Sequence, residues 1–271
     1  MPRKGLQTVT YKTPRTGWRA VVCLLLGAAI LGVSWQAQSR LGIARPFSLT
    51  PGKTSQKQDT ARKSQELTLS AHTLYALQLG AFTQENAARQ LAQEFSARGA
   101  AGYVYQDGDT YRVLAAAYPT RAEAQTVQTR LNAQNISTYI HPCIQEALTL
   151  RAGGTGSQVD ALGEALGYLD GLAGKLYTLS SGLDAQTVSA EDAKAALLSE
   201  GATCAALHQR LSTAFDGALP GSLSPLAQLL GDVSADAETS RNENGAARIG
   251  AALKRCQLTA FFGLMAFAEG L

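Results

Sequence analysis

Two stretches of this sequence match each other at a spacing of 36 residues: YALQLGAF at residues 75–82 and YRVLAAAY at residues 111–118. The match needs no gap. It continues with Ala88 and Ala124, Leu91 and Val127, Phe95 and Leu131, Tyr103 and Tyr139, and Val104 and Ile140. Because self-similarity at a fixed period is the mark of a repeated structural unit, the region is predicted to hold two copies of one unit.

Each copy is predicted to be a strand, a helix and a strand. The helices are predicted over residues 84–98 and 120–134, where apolar residues recur at spacings of three and four. Thr83 and Thr120 are the predicted N-caps, and Gly99 and Asn135 are the predicted C-terminal stops. We therefore predict an α+β fold over residues 71–145, a β-α-β-β-α-β arrangement whose four-stranded antiparallel sheet carries both helices on one face.

The side chains on the other, open face of the sheet follow from the hairpin between the two middle strands. Asp107-Gly108 is typical of a type I′ turn and would pair Tyr105 with Thr110 and Tyr103 with Arg112. Paired residues share a face, and side chains alternate along a strand. With Val104 and Val113 toward the helices, the open face is predicted to carry Ala76, Gln78, Tyr103, Tyr105, Thr110, Arg112, Leu114, Tyr139 and His141.

The repeat region resembles a known family. LQLGAF at residues 77–82 is similar to the first-strand motif of the SPOR domain, and Tyr111-Arg112-Val113 is similar to its third-strand motif. The resemblance covers residues 73–143 and implies a peptidoglycan-binding module that recognises glycan strands stripped of their stem peptides. The glycan-binding residues expected from it and from the open face are Gln78, Tyr103, Tyr105, Arg112, Leu114, Tyr139 and His141.

The open face has chemistry that suits a glycan. Sugar C–H faces pack on aromatic rings, while Gln78 and Arg112 can hydrogen-bond hydroxyl and acetamido groups. Arg112 can also pair with a lactyl carboxylate that is freed when a stem peptide is removed. Such a pair would favour denuded strands.

The net charge of +3 averages two opposite regions. Residues 1–70 carry a local charge of +9, whereas residues 71–271 carry −6. Because the excess of basic residues is confined to the N-terminal region, the pI of 8.7 is no argument for nucleic-acid binding by the remainder.

The basic N-terminal region is predicted to anchor the chain in a membrane. Residues 1–19 form a basic tail, residues 20–39 are uncharged and long enough to span a hydrocarbon core of roughly 30 Å, and residues 40–70 read as a flexible linker. The lysines and arginines of the tail favour a cytoplasmic N-terminus, with the following domains outside the cytoplasm. The alternative is a cleaved signal peptide, since Ala37-Gln38-Ser39 offers small residues for cleavage.

Residues 153–157 read as a second linker, and residues 153–271 are predicted to form a helical bundle. Leucines at four heptad positions (162, 169, 176 and 183) define an apolar seam, and glycines at 163, 167, 171 and 174 are interpreted as points of close helix packing. Ser189 is a predicted N-cap, Ser224-Pro225 begins a third helix, and a fourth runs over residues 245–268.

The last helix ends in LTAFFGLMAFA, whose large apolar residues surround the helix rather than forming one stripe. It is therefore either a core helix or a docking surface for a partner. Cys204 and Cys256 could form a disulfide or remain as buried free thiols.

The favoured function is a non-enzymatic, single-pass, peptidoglycan-binding localisation and scaffold factor at division or sporulation septa, whose layout resembles that of stage II sporulation protein B-like proteins. A cell-wall hydrolase directed by its SPOR domain is the alternative. Residues 144–271 contain one histidine, His208, and no hydrolase motif, so no catalytic residue is assigned. We expect no cofactor and no metal at His141 and Cys143. We also expect no nucleic-acid partner, because residues 72–143 carry equal numbers of acidic and basic residues and lack RNP motifs.

Overall fold

The computed structural model describes residues 62–271. The strands are β1 (Arg62–Leu69), β2 (His72–Phe82), β3 (Tyr103–Asp107), β4 (Thr110–Tyr118), β5 (Tyr139–Gln145) and β6 (Leu148–Thr155). The helices are α1 (Glu85–Ser96), α2 (Arg121–Ala133), α3 (Gly156–Asp184), α4 (Ala190–Ala214), α5 (Ser224–Thr239) and α6 (Ala246–Glu269). The predicted tail (1–19), membrane span (20–39) and linker as far as residue 61 lie outside the described residues. Within residues 62–271, no helix has both the length and the hydrophobicity needed to cross a bilayer.

The repeat folds into the predicted sheet. Strands β2 to β5 form a four-stranded sheet in the order β3-β4-β2-β5, with every neighbouring pair antiparallel. Ala88 and Ala92 of α1 pack on Val113, and Ala124 of α2 packs on Leu77, so both helices cover one face. The predicted β-α-β-β-α-β arrangement is confirmed.

The ends of the two helices follow the predicted signals in three of four places. Thr120 caps α2 in a reciprocal capping box with Glu123. Gly99 (φ +97°) and Asn135 (φ 62°) adopt positive φ after α1 and α2, as C-terminal stops require. The prediction of Thr83 as the other N-cap is wrong, because α1 is preceded by Gln84 without a side-chain capping bond.

The hairpin between β3 and β4 turns one residue later than predicted. Asp107 pairs with Thr110, which leaves Gly108 and Asp109 as the two central residues. Gly108 has φ +57° whereas Asp109 is not in the positive-φ region, the pattern of a type II′ turn rather than type I′. Tyr105 therefore pairs with Arg112 and not with Thr110. Since the partner moves by two residues, every side chain stays on its predicted face.

The predicted linkers require a correction at both flanks of the sheet. Residues 62–69, assigned to the flexible linker, form β1, and residues 153–155 belong to β6. The two strands pair antiparallel as a separate two-stranded ribbon. Its alternating residues Leu67, Leu69 and Ala152 are buried in the helical core, which is the physical reason that these polar segments are ordered.

The C-terminal half is the predicted helical bundle. Consecutive helices pack against one another, and α6 closes the bundle by packing on α3. The four seam leucines of α3 are all buried in one core with residues of α4, α5 and α6. Ser189 caps α4 by accepting a hydrogen bond from the Asp192 backbone N–H at 3.1 Å.

The interpretation of the α3 glycines as close-packing points is wrong for three of the four. At Gly163 an added Cβ atom would lie 3.3 Å from Leu67 Cδ2 of β1. A Cβ atom at Gly167, Gly171 or Gly174 would meet nothing within 4 Å, because these positions are exposed. Close approach occurs instead at Gly201 of α4, where an added Cβ would lie 2.5 Å from the Cβ atom of Ala237 in α5.

This difference predicts opposite effects for two glycine-to-alanine substitutions. Gly201→Ala should destabilise the folded unit of residues 62–271 by about 1–2 kcal/mol, because steric overlap outweighs the gain in helix propensity. Gly167→Ala should stabilise the same unit by up to about 1 kcal/mol. Urea denaturation of the two variants and the parent measures both effects. Equal shifts in the same direction would contradict the packing described here.

Candidate functional site

The candidate site is the face of the four-stranded sheet opposite α1 and α2. Strand pairing places Gln78 beside both Leu114 and Tyr139, and Ala76 beside His141. Tyr103 pairs with Leu114, and Tyr105 pairs with Arg112. Because paired residues share a face, the seven predicted glycan-binding residues lie together on one surface.

Half of this surface is covered by α6. The ring of Phe262 stacks on Tyr105 at a centroid distance of 4.2 Å and on Tyr103 at 5.6 Å, with interplanar angles of 23° and 12°. Leu114 beneath them is fully buried. These residues form one apolar cluster, here called the interface cluster. Its buried members are Ala76, Ala101, Leu114, Ala117, Cys143, Leu258, Phe261 and Phe262, with Leu74, Tyr103, Tyr105, Ala173 and Met265 at its margin.

Polar contacts at the margin of the cluster tie the bundle to the sheet. Gln257 Nε2 donates to the Ala117 carbonyl at 3.2 Å, and both groups are buried. Arg255 Nε donates to the Ala101 carbonyl at 3.2 Å. Burial and the nearby Asp236 carboxylate both raise the pKa of the Tyr103 hydroxyl, so this side chain stays neutral. These amide, guanidinium and carbonyl groups of the covered half therefore have their hydrogen-bond partners within the chain.

The other half of the face is open and polar. Arg112 Nη1 donates to Gln78 Oε1 at 2.9 Å, and Arg112 Nε donates to Asp107 Oδ2 at 2.9 Å. Asp107 also lies 2.8 Å from Arg112 Nη2, so these contacts engage all three guanidinium nitrogens but use only three of its five N–H groups. The guanidinium is held in place by two neighbours and still has N–H groups to donate to a ligand.

Tyr139 and His141 border the open half on β5, an edge strand of the sheet. Tyr139 is 62% exposed, so its ring is available to a ligand. Burial, followed by the positive charge of Arg112, lowers the pKa of His141, so its imidazole is neutral at pH 7 and can both donate and accept hydrogen bonds.

The predicted site residues therefore fall into two groups. Gln78, Arg112, Tyr139 and His141 lie in the open half, whereas Tyr103 and Leu114 lie under α6 and Tyr105 lies at the boundary. The prediction of a fully open sheet face is wrong, because the apolar surface of α6 packs on it. The sequence reasoning missed Asp107, the partner of Arg112, and Phe262, although the apolar residues all round the last helix pointed to a second contact surface.

The three cysteines of residues 62–271 are buried free thiols. Cys143 lies in the interface cluster, while Cys204 and Cys256 lie in the bundle core. Burial raises the pKa of Cys143 to about 11. Among residues 62–271, no group of three or more histidine, cysteine and carboxylate side chains is arranged to hold a metal ion.

Comparison with protein families agrees with the geometry of the sheet. The model of the SPOR domain matches residues 71–141. These residues form a SPOR domain. The match covers about a quarter of the chain and confirms the resemblance carried by the LQLGAF and Tyr-Arg-Val motifs. Searches of the curated proteins and of the solved structures gave no significant match.

The SPOR domain supports a role in peptidoglycan binding in cell division. In this chain a ribbon packed on the bundle joins the SPOR sheet at the start of β2 and the end of β5. The second face of the sheet is shared between α6 and solvent. The polar surface of this face that residues 62–271 leave accessible is the open half, consisting of Gln78, Arg112, Asp107, Tyr139 and His141.

Proposed function

We propose that this protein is a membrane-anchored, non-enzymatic factor that binds denuded peptidoglycan glycan strands at septa and positions other proteins there. The observation that carries the proposal is the Arg112–Gln78 pair in the open half of the SPOR sheet, beside the exposed ring of Tyr139. A glycan strand has a partner for each of these groups. Its sugar C–H faces pack on an aromatic ring, and its hydroxyl and acetamido groups hydrogen-bond to an amide and a guanidinium.

The preference for denuded strands follows from charge. Removal of a stem peptide from a muramic acid residue leaves a lactyl carboxylate, and the unused N–H groups of Arg112 can pair with it. Asp107 already neutralises part of the guanidinium charge, so the attraction for a lactyl carboxylate is weaker than that of an unpaired arginine. A strand with intact stem peptides presents an amide at the same position and lacks the ion pair.

Binding should depend on Arg112 and Gln78 together. We expect the Arg112→Ala, Gln78→Ala double variant to bind amidase-treated sacculi at least ten-fold more weakly than the parent, since hydrogen bonds to charged groups contribute about 1.5–3 kcal/mol. Co-sedimentation with purified sacculi measures this loss. Arg151→Ala is the matched control, because Arg151 is an exposed arginine on the ribbon that pairs with Glu66 away from the sheet face.

Equal binding of the parent to amidase-treated and untreated sacculi would remove the denuded-strand part of the proposal. Unchanged binding by the double variant would remove the open half as the glycan site.

The bundle is proposed to act without catalysis. The carboxylates Glu191 and Asp192 lie in the first turn of α4, where they oppose the positive end of the helix, and Asp192 accepts a hydrogen bond from the Ser189 hydroxyl at 2.7 Å. They thus have a structural role at a helix N-terminus. His208 is a half-buried residue of α4 with no hydrogen bond to another side chain of the described residues.

Zymography with embedded sacculi distinguishes this proposal from the alternative of a SPOR-directed hydrolase. We expect no clearing zone from the refolded chain and no soluble muropeptides after prolonged incubation with sacculi. An amidase of known activity run in the same gel is the positive control. A clearing zone that co-migrates with the chain would contradict the non-enzymatic proposal.

The proposed location rests on residues 20–39, an uncharged segment between basic residues. We expect the full chain to fractionate with membranes and a chain without residues 1–39 to be lost from them. Protease added to spheroplasts should degrade the SPOR domain, as an extracytoplasmic location requires. Protection of that domain, or its release in a soluble form that has lost the N-terminal segment by cleavage, would contradict the anchored arrangement.

A further inference from the structure

The contact between α6 and the SPOR sheet is separate from the cores on either side of it. Leu253, Cys256, Ala260, Leu264 and Phe267 of α6 belong to the bundle core. The interface cluster uses other residues of α6, namely Leu258, Phe261, Phe262 and Met265. The sheet has its own cores against α1 and α2. Parting α6 from the sheet would therefore leave the bundle core and the sheet–helix cores intact.

The chain joins the SPOR domain to the bundle through one narrow neck. The ribbon of β1 and β6 belongs to the bundle, since it contributes to the bundle core. Leu69 pairs with Leu148 at the end of the ribbon, and His72 pairs with Gln145 at the start of the sheet. The two connections, residues 70–71 and 146–147, consequently run side by side. Within residues 62–271, a change in the orientation of the SPOR domain relative to the bundle therefore has to bend only these two two-residue connections.

Asp170 of α3 holds this neck. Its carboxylate accepts hydrogen bonds from the Ser70 backbone N–H at 3.0 Å and the Ser70 hydroxyl at 2.8 Å, and it lies 3.1 Å from His72 Nε2. The neck is thus fixed at one point on the bundle. Beyond it the SPOR domain is held by the interface cluster and by polar contacts that a change of orientation must also break: Gln257 and Arg255 donate to the Ala117 and Ala101 carbonyls, and Tyr177 of α3 contacts the Tyr118 ring and donates to Glu123 at 3.0 Å.

Phe262 occupies the position that a sugar ring would take on the sheet. It lies flat against Tyr105 and Tyr103, and these two tyrosines lie on the same face as Arg112 and Gln78. Stacking of a ring on two neighbouring tyrosines is the contact expected of a bound sugar. A glycan strand that continued from the open half along the sheet would meet Phe262.

We infer that α6 is an intramolecular competitor of the glycan strand, so that the SPOR domain of this protein alternates between a closed state, in which Phe262 masks Tyr103 and Tyr105, and an open state, in which the whole face binds glycan. This inference rests on the proposed glycan-binding function. In the closed state only the open half is accessible, and binding is weak. Binding along the whole face requires the SPOR domain to rotate about the neck. The apparent dissociation constant for the glycan therefore equals that of the open state divided by the fraction of molecules that are open.

The first test weakens the closed state. Phe262→Asp places a carboxylate against the rings of Tyr103 and Tyr105, where it is strongly disfavoured, while the bundle core keeps all its members. We expect the variant to bind amidase-treated sacculi at least ten-fold more tightly than the parent. Leu271→Asp is the matched control, because it adds the same charge beyond the same helix at an exposed residue outside the interface cluster.

Cysteine labelling shows whether this variant is open or unfolded. Cys143 is buried in the interface cluster, whereas Cys204 and Cys256 are buried in the bundle core. With a thiol reagent and peptide mass spectrometry, an open variant should label at Cys143 and stay protected at Cys204 and Cys256. If all three label, the variant has unfolded and the second test decides.

The second test locks the closed state. A Cβ atom at Gly99 would lie 3.6 Å from the Cβ atom of Ala247 at the start of α6, within the Cβ–Cβ range of roughly 3.5–4.5 Å found in disulfides. The positive φ of Gly99 strains a cysteine there, so the Gly99→Cys, Ala247→Cys protein is compared with itself, oxidised and then reduced. The oxidised form should bind at least ten-fold more weakly than the reduced form.

The outcomes separate this inference from the function on which it rests. If Phe262→Asp binds more tightly and adding Arg112→Ala removes that gain, masking is supported. If the gain remains with Arg112→Ala, it comes from exposed apolar surface, and masking is overturned. Equal binding by the oxidised and reduced forms also overturns masking and leaves glycan binding standing. If neither the parent nor any variant binds sacculi, the proposed function fails and the masking fails with it.

Discussion

Helix α6 has to bury apolar side chains all round, and the fold of residues 62–271 depends on how it does so. One side of the helix, with Leu253, Leu264 and Phe267, completes the bundle core. The other side, with Phe261 and Phe262, would remain in water if the bundle stood alone. Since burial of one such side chain stabilises a protein by about 1.5–3 kcal/mol, the two phenylalanines need a second surface. The SPOR sheet provides it, because Tyr103, Tyr105 and Leu114 present an apolar patch of matching size.

Because α6 belongs to both cores, the sheet domain and the bundle pack against each other instead of folding as two independent domains. The ribbon of β1 and β6 leaves the sheet at both ends and packs its leucines on α3, so the bundle receives strands from both flanks of the SPOR domain. The polar pair of Arg112 and Gln78 lies outside the interface cluster, and the Arg112 side chain is 24% exposed. The division of one sheet face into an apolar covered half and a polar open half is thus a consequence of where α6 ends its contact.

The elements of the SPOR region were predictable from the sequence because their signals are local. The 36-residue repeat predicts both helices, Asn135 and Gly99 mark their ends, and strand alternation assigns each side chain to a face even though the turn at Gly108 was placed one residue early. The ribbon escaped prediction because only Leu67 and Leu69 interrupt a polar segment, and their burial depends on residues about a hundred positions away. Close packing at the exposed glycines of α3 was predicted wrongly for a related reason. A glycine gives the same sequence signal whether a neighbouring residue or solvent fills the space of its missing side chain.

The candidate site was predictable in chemistry but not in accessibility. Strand pairing and the SPOR motif together selected Gln78, Arg112, Tyr139 and His141, all of which lie in the open half. No local pattern states that Phe262, more than 150 residues from Tyr105, would cover the tyrosines. The most direct test of the central claim is aromatic NOE spectroscopy on residues 56–271, titrated with a soluble denuded glycan fragment. We expect NOEs between the Phe262 and Tyr105 rings in the free protein that disappear as the fragment saturates, while NOEs within the bundle core persist. Phe262–Tyr105 NOEs that remain unchanged at saturation would contradict the claim.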